Sequence, residues 1–237
     1  PKPILEQKDP DAPGSEVKPA KGIDTKAYLE QVSTELHKPA RRSYPTRKVF
    51  VEGKDHTWSA DLADMGTWKD ENDGVTFILT VIDVFTRFAW ARPLKTKGGA
   101  EVSRAFEDIV VKSGRKPKWL WWDEGKEFLN KEMDKWREKE GIGQYHTYGR
   151  GKSVIVERFN RTLKTMMWKR LTALNSHKWV GLLQGLVDKY NATKHSTLKM
   201  TPDMASQHPE KAMARWLELK KDEPPAGKSR PGSARRQ

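Results

Sequence analysis

Residues 75–84 read VTFILTVIDV, and residues 67–74 just before them read TWKDENDG. The first run is apolar almost throughout, the pattern of a strand covered on both faces. The second has the Gly, Asn and Asp of a hairpin loop. Working outward, HTWSADLADM (56–65) and TRFAWARPL (86–94) are β-branched and aromatic, so each is expected as a strand, and KVFVEG (48–53) reads the same way. After these, strands and helices alternate. GGAEVSRAFEDIVVKSG (98–114) has helical spacing and a C-terminal Gly114 suited to a cap. PKWLWWD (117–123) is a short buried strand, and EFLNKEMDKWREKEG (127–141) is an amphipathic helix ending at Gly141. GQYHTY (143–148) forms another strand, and WVGLLQGLVDKY (179–190) a helix with Leu182, Leu183, Leu186 and Val187 inward. This order predicts an α/β layer fold with a mixed sheet and helices on its faces.

The flanks differ in character. Residues 1–22 and the tail KKDEPPAGKSRPGSARRQ (220–237) are rich in Pro, Gly and charge, and are expected to be disordered. Residues 23–38 predict a short helix starting at Asp24 or Thr25 and carrying Tyr28, Leu29, Val32 and Leu36; a basic connector broken at Pro39 and Pro45 follows. The division expected is 1–22 disordered, 23–50 helix and connector, 51–207 the core domain, and 208–237 a short helix and basic tail. The chain begins with Pro1, as a piece of a longer protein would.

Charge narrows the partner. The 237 residues hold 45 Lys and Arg against 32 Asp and Glu, a net +13. From Arg158 onward the count is 17 against 6, so +11 of the excess sits in the last third. A bias of that size favours a polyanion, with nucleic acid the default. There is no apolar run near the ~18 residues a membrane span requires. The absence of cysteine excludes disulfides and Cys-containing zinc sites, and the six His are scattered without ligand spacing.

Residues 147–175, TYGRGKSVIVERFNRTLKTMMWKRLTALN, lead from a Gly/Lys/Ser loop into a long amphipathic helix. Val156, Phe159, Leu163, Met166/Met167, Leu171 and Leu174 make its apolar stripe, with Glu157, Arg161, Lys164 and Trp168 on another face. Alone, Glu157 reads more simply as a solvated residue paired with Arg161. Asp61, in the first core strand, has two readings as well. It shares a face with Ser59 and Ala63, opposite Trp58, Ala60 and Leu62, and either meets solvent there or is a paired or metal-bound acid. Asp64 is its local rival on the Trp58 face. Asp123 ends a strand, where ligands of α/β sheets gather, but a turn Asp capping backbone accounts for it too. Asp83 reads as an end-of-strand turn acid. Converging, three such carboxylates can hold two divalent cations against substrate phosphates. Arg150, Lys152, Arg161 and Lys164 would then grip the DNA backbone.

WSAD (58–61), TVIDVFTRFAWARPLK (80–95), WDEGKEF (122–128), VERFNRTLK (156–164) and YNATKHSTLKMTP (190–202), in this order, resemble the DDE integrase/transposase catalytic core of retroviruses and related elements. The wording, with YPTRKV at 44–49, is nearer to the integrases of Polinton/Maverick DNA transposons. The resemblance implies a ribonuclease-H-like, five-stranded mixed sheet with helices on both faces. It implies that Asp61, Asp123 and Glu157 are the metal-binding acids and that Arg161 and Lys164 contact DNA. It also implies two Mg²⁺ or Mn²⁺ ions, 3′-end processing and strand transfer into double-stranded target DNA, a homo-oligomer, and a nuclear location. Two features depart from the pattern: 33 residues separate Asp123 from Glu157 (157 − 123 − 1), and no His-His-Cys-Cys zinc domain is present. The rival expectations are a decayed copy that binds DNA without catalysis and a nuclease of the same fold.

Overall fold

The computed structural model describes residues 24–37, 49–122, 128, 130–145 and 154–221. Residues 1–22, residues 222–237 of the tail, the connector after His37, Asp123, and the loop with Arg150 and Lys152 lie outside them; Lys220 and Lys221, expected in the disordered tail, are helical instead.

A five-stranded sheet has the order β3-β2-β1-β4-β5. β1 (Thr57–Asp64), β2 (Phe77–Asp83) and β3 (Ala89–Leu94) form an antiparallel meander. β4 (Trp119–Trp121) and β5 (Gly143–Tyr145) add to β1 in parallel, each reached through a helix. Those helices are α2 (Gly99–Ser113) and α3 (Lys131–Glu140), each closed by a glycine in the left-handed region, Gly114 and Gly141. Period-two alternation divides the strands cleanly. Trp58, Ala60, Leu79 and Val81 pack with Val102, Phe106 and Ile109 of α2 and Met133 and Trp136 of α3. Ala63, Ile78, Ile82, Ala89 and Ala91 pack with α4 (Val154–Leu174) and α5 (Val180–Asn191). Helices therefore cover both faces, as expected.

At the N-terminus α1 (Thr25–Leu36), capped by Asp24, lies on α4, where Ser33 Oγ donates to the Lys169 carbonyl at 2.5 Å. At the other end come α6 (Pro202–Gln207) and α7 (Pro209–Lys221). Trp216 of α7 is buried, and its Nε1 donates to the Phe85 carbonyl at 3.0 Å, which seats α7 on the β2–β3 turn.

Three readings need correction. Residues 49–53 form no strand: both sides of β1 are already taken by β2 and β4, and Phe50 and Val51 instead pack near Trp216 and Phe85. Leu174, placed in the apolar stripe of α4, is exposed in the last helical turn, while Ile155 is buried. Leu182 is only partly buried, leaving Leu183, Leu186 and Val187 as the inner face of α5.

Asp83 does cap its turn, accepting the Phe85 amide at 3.1 Å and the Thr86 hydroxyl at 2.7 Å. It is also fully buried against Arg115, whose Nη2 donates to it at 2.8 Å while the same guanidinium forks onto Asp55. Burial raises its pKa, and the Thr86 and Arg115 contacts oppose that rise.

Asn72, 3% exposed in the β1–β2 connection, is the polar joint between that loop and α5. Its amide nitrogen donates to the Trp68 and His177 carbonyls, and its oxygen accepts the Trp179 and Val180 amides. It thereby caps a helix whose own N-cap residue, Trp179, makes no side-chain cap. Asn72→Ala orphans several buried groups at once and is expected to lower the unfolding free energy by about 2–3 kcal/mol. Urea denaturation checks this, and a loss under about 0.5 kcal/mol would mean that water replaces the joint.

Candidate active site on the β1–α4 face

The site is built where α4 crosses β1 and β2. The helix buries Val156, Phe159, Leu163, Met167 and Leu171 against the sheet. Residues on either edge of that stripe are left at the boundary between core and solvent.

Asp61 lies in the middle of β1, paired across the sheet with Thr80, on the face that α4 covers. It is half-buried rather than solvated. Its Oδ1 accepts the Leu62 amide at 2.8 Å, and its Oδ2 accepts Asn160 Nδ2 from α4 at 2.7 Å. The simple alternative of a solvent-facing acid is thus replaced by an acid held in place by a helix donor. Asp64, its rival, is exposed beyond the bend, where its carboxylate accepts the Gly66 amide at 2.7 Å.

Glu157 occupies the first turn of α4, exposed, three residues before Asn160. Three residues are close to one helical turn, so Glu157 stands above the residue that holds Asp61. Among the described residues Glu157 makes no ion pair, so its pairing with Arg161 is not observed. An acid in the first turn is also favoured by the helix dipole, whatever else it does. Arg161 is exposed, and Lys164 Nζ lies 3.5 Å from the Asp64 carbonyl, so Lys164 stands on the flank of α4 that faces the end of β1. Trp168, one turn further, leaves this exposed face and packs against Trp68, ring centroids 4.7 Å apart and planes tilted by 53°.

Among the described residues no group of three or more His, Asp or Glu could hold a metal ion. Asp61 and Glu157 are two of the three expected acids, and Asp123 is outside the described set. The donor set is nonetheless of the right kind for Mg²⁺ or Mn²⁺: carboxylate oxygens, with Asn160 Oδ1 buried and without a hydrogen-bond partner among the described residues.

Asn160 was not singled out from sequence. Its signal was its place in VERFNRTLK, on the same flank as Lys164. A mid-helix Asn with no local capping task is costly unless a distant group uses it.

Comparison with known proteins bears on the family and the fold. Residues 52–150 match the family described as Integrase core domain. An uncharacterized transposon-derived protein of Caenorhabditis elegans is 37% identical over 127 residues, which is 54% of this chain and 44% of that relative. Among solved structures, the catalytic core of HTLV-2 integrase in complex with magnesium superposes with a TM-score of 0.53 at 18% identity, covering 63% of this chain and 95% of that one. The simian T-cell lymphotropic virus intasome, solved with the PP2A regulatory subunit B56 gamma, gives 0.61 at 16%, covering 85% of this chain and 68% of that one. The shared architecture is the ribonuclease-H-like fold.

Asn160→Ala removes one charge-assisted hydrogen bond and is expected to cost about 1–2 kcal/mol of stability. A urea midpoint identical to that of the parent chain would show that the contact does not hold Asp61.

Proposed function

We infer that this chain, whose residues 52–150 belong to the integrase core domain family, is a polynucleotidyl transferase of the DDE class. On this reading it processes the ends of a mobile element and joins their 3′-hydroxyls to target DNA. The observation that carries it is Asp61, an acid kept half-buried beneath α4 by Asn160, one turn from Glu157.

Asp61, Asp123 and Glu157 would hold two Mg²⁺ or Mn²⁺ ions. Ions bound there activate the attacking water or hydroxyl and stabilise the leaving oxygen. The chain's own residues do the rest. Asn160 fixes the rotamer of Asp61, as partners of metal-ligating carboxylates commonly do. Arg161 and Lys164 hold backbone phosphates on the flank of α4 beside Glu157, with Arg150 and Lys152 contributing from the preceding loop. None of these cations reads base edges, so sequence preference must come from elsewhere. Double-stranded element and target DNA are the partners, acting with a homo-oligomer of the chain, and a eukaryotic element would use it in the nucleus.

Joining of a labelled oligonucleotide end to plasmid DNA is the test. Asp61→Asn, Asp123→Asn and Glu157→Gln are each expected to reduce joining more than 100-fold while DNA binding persists. A loss below tenfold for Asp123→Asn overturns the assignment. Cleavage without joining by the parent chain would point to a nuclease, and DNA binding with no metal uptake by calorimetry to a decayed copy. Arg161→Ala and Lys164→Ala should each lower the log–log salt slope of DNA affinity by about one.

A further inference from the structure

α4 has a second flank. With about 100° per residue, Asn160 and Lys164 fall on one edge of the buried stripe, and Arg158, Thr162 and Met166 on the other. Beside the latter lies a cleft of roughly 310 Å³, bounded also by Ile82 and Arg87 of the β2–β3 region and by residues 193–197 after α5. Its charged members among the described residues are Arg87, Arg158 and Lys194, with no carboxylate among them. Phe159 and Tyr190, in ring contact at 4.7 Å, give it apolar walls.

Arg87 is the unusual member. It is 7% exposed and held at a φ of 62°, in the left-handed region that non-glycine residues rarely adopt. Its guanidinium lies over the Trp216 ring at 5.2 Å. Its Nε and Nη1 are both buried and find no acceptor among the described residues. The neighbouring acid, Asp83, is already engaged by Arg115 and Thr86. Burial lowers the Arg87 pKa to about 10, so the group stays charged at neutral pH. A buried cation with unmade hydrogen bonds is costly, and a guanidinium fork fits an oxyanion bidentately. His195 adds a donor. Its Nδ1 accepts the Thr197 amide at 3.2 Å, so the neutral ring carries its proton on Nε2. Burial, with Arg87 and Arg158 nearby, lowers its pKa to about 4.

We propose that this cleft binds a phosphate group of a nucleic-acid strand, with Arg87 as its buried anchor and Arg158, Lys194 and His195 as the surrounding donors. The oxyanion site stands on the cleft itself. Nucleic acid as the source rests on the function inferred above, because the cleft opens on the same helix that presents Glu157 and Arg161. It is separate from the Asp61 flank, so it holds a strand and does no chemistry.

The test is an NMR titration of the full chain with inorganic phosphate, following the His195 ring against a chloride control. A saturable shift is expected, together with a rise in the His195 pKa, because a bound anion offsets the Arg87 and Arg158 charges. Arg87→Gln should abolish it. Lys194→Ala, at an exposed position, should weaken it about three- to tenfold and covers the case in which Arg87→Gln does not fold. No response to phosphate, or a response unchanged in both variants, overturns the proposal. A short oligonucleotide should compete at lower concentration than an acidic peptide of equal charge, and the reverse order overturns nucleic acid as the source. An intact phosphate response in a chain that neither joins DNA nor takes up metal removes the enzymatic reading and leaves the anion site assigned.

Discussion

The packing of α4 across β1 and β2 is the constraint on which the rest depends. One stripe of the helix, Val156 to Leu171, must lie on the sheet to close the second core. Helical geometry then fixes where every other residue of α4 can go. Asn160 is set down on Asp61, Glu157 stands one turn above it, and Arg158 and Thr162 face Arg87 on the far side. The Asp61 flank and the Arg87 cleft are therefore consequences of one packing decision. A change in helix rotation would disrupt both together.

The sheet supplies the complementary half of the design. A period-two strand presents Ser59, Asp61 and Ala63 to α4 while Trp58 and Ala60 anchor the opposite layer. Trp58 is fully buried, its indole nitrogen donating to Asp55 at 2.9 Å, so β1 has little freedom to slip in register. A slip of one residue would send Asp61 into the apolar layer of α2 and α3, where an ionised acid is prohibitively costly. Arg115 reinforces the register at the end of β1, joining Asp55, Asp83 and Ser206 across three segments.

Much of this was legible in the sequence because it follows from periodicity. The alternation around Asp61, the apolar run of β2, the glycine stops of α2 and α3, and the inner face of α4 are all one-dimensional signals. What escaped reading depends on partners far along the chain. Asn160 matters through a residue 99 positions away, and no local pattern marks it. Residues 49–53 have strand composition but meet a sheet whose neighbouring positions are filled. Arg87 falls in a run read as strand, TRFAWARPL, and no local pattern marks it as buried. α7 brings Trp216 to the β2–β3 turn, and the guanidinium lies over its ring.

That last point bears on how the two flanks differ in kind. Asp61 is an anion at the edge of the core, with the neutral amide of Asn160 on one carboxylate oxygen. Arg87 is a cation inside the core, steadied by an aromatic face, which leaves its hydrogen bonds unmade for an incoming anion. Neither is the cheapest way to fill its position, since a buried charge replaced by an apolar side chain is usually neutral or stabilising. Two such departures flank a single helix in a chain of net charge +13. On the proposed function, both suit a ligand that carries many phosphates and recruits metal ions.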